Sequence, residues 1–316
     1  MIPMELRPLG FGEIFDRAVT LYIRNFVPFV AIVLVLVVPT AIMQYFLDLN
    51  SGSQLTQMLQ IFRHAGRGGN GTQLPFYNAE GGLVPLLATL FLTYAIWPFA
   101  LNAVAVGVAR LYRGRRVEFR ACYERVLRRW PSIFGLLGVE LVVLLLWYLA
   151  AIAASVLLFL VFGIFIAAAP KVLSLIFALL IAAIILGLLL PSLLVLILAM
   201  NFAMYSCVIE DTGVGASVSA GFSRVFNRTE FWRALLVAIA TSAMAFMASL
   251  LFGAFGMFFS LVHLPVLQTI VQSLPQAVVT PFTVVVLAIY YFDVRIRREA
   301  FDLEAGLERL TAAQPA

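Results

Sequence analysis

The hydrophobic positions of the chain fall in long blocks that short charged segments separate. Each block is close to the ~20 apolar residues that an α-helix needs to cross ~30 Å of hydrocarbon. The pattern therefore predicts an all-α integral membrane protein with six transmembrane helices. The predicted spans are Val27–Phe46, Leu83–Val108, Ile133–Leu158, Leu180–Met204, Ala234–Phe259 and Val278–Phe292.

Basic residues are concentrated in alternate connections between these spans. Of the 21 lysine and arginine residues, 18 lie before the first span, between the second and third, between the fourth and fifth, or after the sixth. The other connections hold Arg63, Arg67 and Lys171. Because cytoplasmic connections of membrane proteins carry the excess of basic residues, the distribution predicts that both termini are cytoplasmic.

A similar amphipathic segment precedes the first, third and fifth spans: Gly12–Phe26, Val117–Trp130 and Gly213–Phe231. In each segment apolar side chains recur at the spacing of one helical face. The second span of each pair carries a proline, and these prolines are 93 and 90 residues apart. The spacing predicts an internal repeat of three units, each an amphipathic elbow helix, a span, an outer segment and a second span. The predicted boundaries are 9–112, 113–208 and 209–294 for the units and 295–316 for a cytoplasmic tail, all in one membrane domain, 1–316.

The outer segments of the units differ in length and character. Gln54–His64 and Leu264–Leu274 each place their large apolar side chains on one helical face, which predicts short interfacial helices. In the middle unit, Ile133–Ile209 is apolar almost throughout. Two helices filling that length would each run ~57 Å, nearly twice the hydrocarbon thickness. We therefore expect the chain around Gly163–Lys171 to bend over as an outer apolar hairpin or interfacial helix.

The overall composition narrows the class of protein. The chain has 316 residues, of which 63% are hydrophobic and 12% charged. Soluble proteins are roughly half apolar and a quarter charged, so a water-soluble enzyme is excluded. The net charge of +5 comes largely from arginines at the ends of the spans. This position favours the anionic headgroups of membrane lipids as partners and argues against nucleic acid.

Residues that carry catalytic or metal chemistry are sparse. The two cysteines, Cys122 and Cys207, fall in predicted cytoplasmic segments, where thiols stay reduced. They are too few and too far apart for a zinc site, and the two histidines, His64 and His263, are isolated. No motif combines an acid, a base and a nucleophile. The sequence therefore predicts no enzyme activity, no metal and no cofactor.

A resemblance to a known family rests on three stretches: LRPLGFGEIFDRAVTLYIRNF (Leu6–Phe26), IEDTGVGASVSAGFSRVFNRTEFWRALL (Ile209–Leu236) and YYFDVRIRREAFDLE (Tyr290–Glu304). They resemble the bacterial glycerophosphoryl diester phosphodiesterase membrane-domain family. The resemblance implies a six-helix membrane domain, attached in some members to a phosphodiesterase barrel and standing alone in many others. Since only 24 residues follow Phe292, no barrel is expected here, and the family's enzyme activity is not carried over to any residue.

One acidic residue, Glu140, lies well inside a predicted span. A charge there costs ~2.5–3.5 kcal/mol even on lenient insertion scales, so Glu140 is a candidate functional residue. Asn102 and Asn201 lie at comparable depths in the second and fourth spans. The three residues define either a polar layer open to the cytoplasm or a structural set, with asparagines joining helices and Glu140 bonded to them or to an arginine.

Two further sets of residues are candidate contact surfaces. Small residues recur every fourth position of the fifth span, which indicates a helix-packing face inside the bundle or in a homodimer. They are Thr241, Ala245, Ser249 and Gly253. Arginines crowd the connection between the second and third spans, where they either bind anionic lipid or an acidic partner or fix the topology. They include Arg113, Arg115, Arg116, Arg120, Arg125, Arg128 and Arg129.

Two functions remain open at this point. The first is a non-enzymatic protein of the bacterial inner membrane, acting as a scaffold, an assembly factor or a lipid-interacting component, with a membrane-protein partner or a second copy as possible neighbours. The second is a transporter or channel for a small solute or lipid, with a cytoplasm-facing polar cavity between the helices. The absence of a catalytic motif and the amphipathic elbows favour the first.

Overall fold

A computed structural model describes residues 7–51, 87, 91–168, 170–228, 230–262 and 264–299. Within these residues the backbone is helical apart from short turns and contains no strand, which confirms the all-α class. The helices are α1 Phe11–Arg24, α2 Phe26–Ser51, α3 Trp97–Tyr112, α4 Phe119–Leu127, α5 Trp130–Ala168, α6 Lys171–Ile209, α7 Val214–Val225, α8 Phe231–Leu261, α9 Pro265–Leu274 and α10 Thr280–Glu299. The predicted outer helix Gln54–His64 lies outside the described residues.

Five stretches of the described chain are long and apolar enough to cross a membrane. They are Phe26–Phe46, Trp130–Gly163, Val172–Ile209, Phe231–Phe259 and Pro265–Glu299. Each contains one predicted span, so the chain has the character of a multi-pass membrane protein. The remaining predicted span, Leu83–Val108, lies partly outside the described residues; its described part is a π-helical turn, Phe91–Ile96, followed by α3.

The middle of the chain forms a helical hairpin without the predicted outer bend. Helices α5 and α6 contain 39 residues each, and only positions 169 and 170 separate them. At ~1.5 Å per residue each helix runs for ~58 Å. The bend expected around Gly163–Lys171 is absent from the described residues because no proline interrupts the helix between Pro131 and Pro170. Pro170 instead forms the N-cap of α6.

Helix α9 differs from the separate interfacial helix that was predicted. A π-helical turn, Pro275–Val279, joins it to α10, so the chain is helical from Pro265 to Glu299. Its burial pattern is also the reverse of that expected for a helix at a water-exposed surface, where polar side chains are exposed and apolar side chains are buried. Gln268 and Thr269 are buried, whereas the five apolar residues Leu264, Val266, Leu267, Ile270 and Leu274 are exposed. Polar groups that turn inward and apolar groups that face outward suit a helix surrounded by lipid.

The chain divides into two compact units, Met1–Arg128 with Ala243–Ala316, and Arg129–Ser242. These limits do not follow the predicted boundaries at 112/113 and 208/209, and the threefold repeat stays a prediction. In the first unit, α1 and α3 both pack against α10, and α2 packs against α3 and α9. The rings of Tyr112 and Phe292 stack in its core with centroids 4.5 Å apart. In the second unit, α6 packs against α5 and α7.

Candidate functional site

The connection between α3 and α4 is an arginine-rich turn with a defined backbone. Gly114 has a φ of 72°, a left-handed conformation that glycine adopts without steric cost. The backbone N–H of Arg115 donates to the carbonyl of Arg110 at 2.8 Å, and Nε of Arg110 donates to the carbonyl of Arg116 at 3.0 Å. Arg110 therefore holds the turn from both sides, and the side chains that follow it project from a fixed position.

Four arginines of this connection are exposed: Arg113, Arg115, Arg116 and Arg120. We call them the turn arginines. Within the described part of the chain, none of their side chains makes a hydrogen bond or an ion pair. Arg128 differs, because its Nη2 lies 2.6 Å from Oε1 of Glu124. Arg125 is partly buried and engaged in contacts. The turn arginines thus keep their charge and their hydrogen-bond donors available to a ligand.

Helix α4 presents apolar and basic side chains together. Cys122 and Val126 are buried, and the hydroxyl group of Tyr123 donates to the carbonyl of Ile32 on α2 at 2.7 Å. Burial raises the pKa of Tyr123 to about 12, so its hydroxyl stays protonated and keeps donating. Phe119 and Leu127 remain exposed beside the turn arginines. The helix is therefore anchored on one side and open on the other.

A buried ion pair links the end of α6 to α7 in the second unit. Nη1 of Arg224 lies 2.9 Å from Oε1 of Glu210, and Nη2 donates to Oε2 at 3.1 Å, which is a bidentate pair. Ser206 also donates to Oε2 of Glu210, and its hydroxyl lies 3.2 Å from that of Thr212. The pair is largely shielded from solvent, since only 5% of the Arg224 side chain is exposed. It orients α7 and offers no reactive group.

Arg129 belongs to the same end of the second unit and is fixed rather than available. Its Nε donates to Oδ1 of Asp211 at 2.9 Å, and its Nη2 donates to the Asp211 carbonyl at 2.8 Å. Asp211 has a φ of 61°, in the left-handed region, which aspartate tolerates better than most residues. Of the seven arginines predicted to contact lipid or fix topology, Arg129 therefore has a structural role.

The two ends of the described chain are joined in the first unit. The backbone N–H of Leu9 donates to Oδ1 of Asp293 at 2.6 Å, and Nη2 of Arg297 donates to the Leu9 carbonyl at 2.7 Å. Nε of Arg297 completes the set by donating to Oδ2 of Asp293 at 3.0 Å. The Asp293 side chain is fully buried. We call these three residues the terminal clamp.

Sequence reasoning did not find the terminal clamp or the Glu210–Arg224 pair. Arg224 and Arg297 were counted only as marks of the cytoplasmic side. The available signal was an acid at the end of an apolar span with arginines further along the chain: Glu210, next to Asp211, before α7, and Asp293 in FDVRIRRE, which also contains Glu299. An acid that close to several arginines, at the end of an apolar span, is a candidate for a buried pair.

In the second unit, two of the predicted intramembrane polar residues, Glu140 and Asn201, form no hydrogen bond with each other. In the second unit, Asn201 donates from Nδ2 to the carbonyl of Ile197 at 2.9 Å, within its own helix. Glu140, on α5, makes no hydrogen bond or ion pair with any residue that the structure describes. In the first unit, Asn102 is buried and donates to the carbonyl of Pro98 at 2.8 Å. Each asparagine thus bonds the carbonyl four residues earlier.

The predicted packing face on α8 is uneven. Thr241 is buried and donates to the carbonyl of Val237 at 2.7 Å, whereas Ser249 is exposed. Ala245 is partly buried, and nothing lies within 4 Å of the position that a Cβ atom would take at Gly253. The close approach on this helix is instead at Gly256, where a Cβ would lie 2.6 Å from Cγ of Gln272. The homodimer face stays a prediction.

No group of three or more His, Cys, Asp or Glu side chains comes together as a metal site in the described part of the chain. Both cysteines are buried free thiols. The α3–α4 connection is therefore suited to binding anions, because its guanidinium donors lie beside apolar side chains. Comparison with protein-family models, curated proteins and solved structures gives no match to this chain.

Proposed function

We propose that this chain is a non-enzymatic protein of the bacterial inner membrane that engages anionic lipid headgroups at its cytoplasmic face, as a scaffold, assembly factor or lipid-interacting component. The four turn arginines carry this proposal. Guanidinium groups match phosphate geometry, and each basic residue near an anionic surface contributes ~1 kcal/mol of attraction. Exposed Phe119 and Leu127 would enter the apolar side of the same interface.

The proposal includes six membrane crossings with both termini in the cytoplasm. The terminal clamp supports this topology, because groups in direct hydrogen bond lie on the same side of a membrane. Leu9 precedes the first predicted span and Asp293 follows the last, Val278–Phe292, so the proposed topology needs an even number of crossings between them. Five described candidates are an odd number. One further crossing makes the number even, and Leu83–Val108 has the length and composition for it.

The lipid interaction is tested by replacing the turn arginines together with glutamine. The purified full-length protein in neutral detergent receives pyrene-labelled phosphatidylglycerol or phosphatidylcholine, and energy transfer from tryptophan reports binding. We expect the wild type to prefer phosphatidylglycerol and the variant to lose about tenfold or more of that preference, because four attractions of ~1 kcal/mol are removed. Raising the salt concentration should weaken the wild type toward the variant.

Arg128→Gln is the matched control, since it removes an exposed arginine that already pairs with Glu124. It should keep most of the wild-type preference. An unchanged preference for phosphatidylglycerol in the fourfold variant would contradict the proposal. So would a preference in the wild type that does not respond to salt.

Transport of a small solute or lipid is the second candidate function, and Glu140 is the observation that favours it. This carboxyl group lies within the apolar span of α5 and makes no hydrogen bond or ion pair in the described part of the chain. Ionisable side chains inside membranes mark substrate or ion pathways by default. Asn102 and Asn201 do not strengthen this candidate, because both bond within their own helices.

A further inference from the structure

A cavity of about 600 Å³, lined by charged and polar residues together with leucines, opens beside α1 in the first unit. We call it the α1 pocket. The polar side of α1 forms most of its lining, and the segment before α1 and the end of α3 close it. Its charged and hydroxyl-bearing side chains are Arg7, Glu13, Asp16, Arg17, Thr20 and Arg24. Neither the turn arginines nor the intramembrane polar residues belong to this lining.

We propose that the α1 pocket binds one phosphate group carrying a single negative charge, as a phospholipid phosphodiester or free dihydrogen phosphate does, through Arg17, Thr20 and Arg24. These residues are spaced i, i+3 and i+7, so they share one face of α1. The two arginines are ~10 Å apart along the helix axis, so a ligand between them is within the length of either side chain. Thr20 adds a hydroxyl donor there. The proposal goes beyond the proposed function, because it assigns a discrete site and not a charged surface.

The charge of the lining fits such a ligand. Three arginines against Glu13 and Asp16 leave the pocket with one net positive charge. Nη2 of Arg7 lies 2.8 Å from Oε1 of Glu13, and the backbone N–H of Gly10 donates to Oε2 at 2.7 Å. These hydrogen bonds, chiefly that of Gly10 and then that of Arg7, hold the pKa of Glu13 below its ordinary value. A monoanion therefore neutralises the pocket, whereas a zwitterion leaves it charged.

Two of the lining residues are held by contacts with the rest of the first unit. Arg17 lies next to the hydroxyl group of Tyr112, which is buried and stacks on Phe292. Leu9, another lining residue, is held on both its backbone N–H and its carbonyl by the terminal clamp. A preorganised site loses little conformational entropy on binding, so more of the contact energy becomes affinity.

The position of the pocket favours a lipid as the source of the phosphate. Arg24 lies two residues before Phe26, where the first apolar span begins. Residues just outside a span are at the depth of the phospholipid headgroups. Gly114, between two of the turn arginines, also lines the pocket. An anionic headgroup drawn to the turn arginines therefore arrives beside the α1 pocket.

The test is native mass spectrometry of the full-length protein, purified in a delipidating detergent and titrated with phosphatidylglycerol. We expect one lipid to bind saturably, and Arg17→Gln combined with Arg24→Gln to weaken it about tenfold or more through loss of charge-assisted hydrogen bonds. Arg128→Gln combined with Arg228→Gln removes the same charge from exposed positions outside both the lining and the turn arginines, and should keep the saturable site. Asp16→Asn should bind severalfold more tightly, because it removes a negative charge from the pocket.

Two competition arms identify the source of the phosphate. If phosphatidylcholine and millimolar inorganic phosphate both fail to displace phosphatidylglycerol, the ligand is an anionic phospholipid; displacement by inorganic phosphate assigns the pocket to a free phosphate. An unchanged affinity for phosphatidylglycerol in the Arg17/Arg24 variant, or weaker binding in Asp16→Asn, overturns the proposed phosphate site. The proposed function fails separately, when the fourfold turn-arginine variant keeps its lipid preference. Asp16→Asn keeps the test decisive if the double variant does not fold.

Discussion

The carboxyl group of Glu140 has either a structural or a functional role, and the two roles can be told apart. It lies ten residues after Trp130 in α5, and no described residue offers it a hydrogen bond or an opposite charge. A structural acid stabilises the fold through its hydrogen-bond partners, and removing it leaves those partners unsatisfied. An acid without partners only costs stability, by ~2.5–3.5 kcal/mol for a charged group in mid-membrane on insertion scales. The two cases therefore predict opposite effects of removing the carboxyl group.

We expect Glu140→Leu to raise the thermal unfolding temperature of the detergent-solubilised protein by several degrees, because it replaces a poorly solvated carboxyl group with an apolar side chain of similar reach. Val142→Leu, a nearby exposed apolar position, is the control and should leave the temperature unchanged. A clear decrease with Glu140→Leu would mean that the carboxyl group has a structural partner, and the transport candidate would lose its main support.

Single residues show what the sequence pattern can predict and what it cannot. Glu140 and the turn arginines were identified because a charge in an apolar block and a run of like charges are local signals. Asp293 was not, because its partner Leu9 is 284 residues away and the bonded groups of Leu9 belong to the backbone. Hydropathy carries no information about which distant backbone group an acid will meet. Such pairs become visible only when the fold brings them together.

Among the helices, α7 depends on one glycine for its closest contact. A Cβ atom at Gly221 would collide with the carbonyl oxygen of Ala199 on α6 and would lie 2.7 Å from the backbone N of Ala203. Both atoms belong to the backbone of α6 and cannot turn aside as a side chain would. The two helices therefore approach at van der Waals distance only because position 221 has no side chain.

We expect Gly221→Ala to destabilise the protein by about 1–3 kcal/mol, since overpacking forces the helices apart. Gly215→Ala is a matched control in the same helix, because nothing lies within 4 Å of its Cβ position. Alanine favours the helix at both positions by ~1 kcal/mol, so the control should be neutral or more stable. Thermal unfolding in detergent separates the two. Equal unfolding temperatures for both variants would contradict the close α6–α7 contact.

Helix positions were predicted better than the path between helices. Helices occupy all three segments expected to form elbows; two of them begin after a glycine N-cap, Gly10 or Gly213, and the third begins after Glu118. The predicted helix Leu264–Leu274 is confirmed as α9 and differs only in being continuous with α10, whereas the outer ends were predicted wrongly for α5 and α6. There the expectation rested on bilayer thickness, which limits how much helix lies in hydrocarbon and does not stop the helix itself. A proline can end a helix, and α5 has none between Pro131 and Pro170.

At the scale of the whole molecule, the terminal clamp limits the possible topologies. Its hydrogen bonds require the segment before α1 and the end of α10 to be on one side of the membrane. The positive-inside rule predicts that this side is the cytoplasm, but it cannot count crossings. Parity is consistent with the proposed six crossings, because the five described candidates are an odd number and one more makes an even number. The two arguments are independent, since one uses charge and the other uses contact.

The topology is tested by labelling single introduced cysteines with a membrane-impermeant maleimide in the bacterial expression host. The native cysteines are buried, and burial raises the pKa of Cys122 to about 11, which keeps it an unreactive thiol. With six crossings, Arg24→Cys and Arg115→Cys should react only after lysis, whereas Val172→Cys, at the tip of the α5–α6 hairpin, should react in intact cells. Opposite accessibility of positions 24 and 115 would remove the sixth crossing, because α2 alone would then separate them.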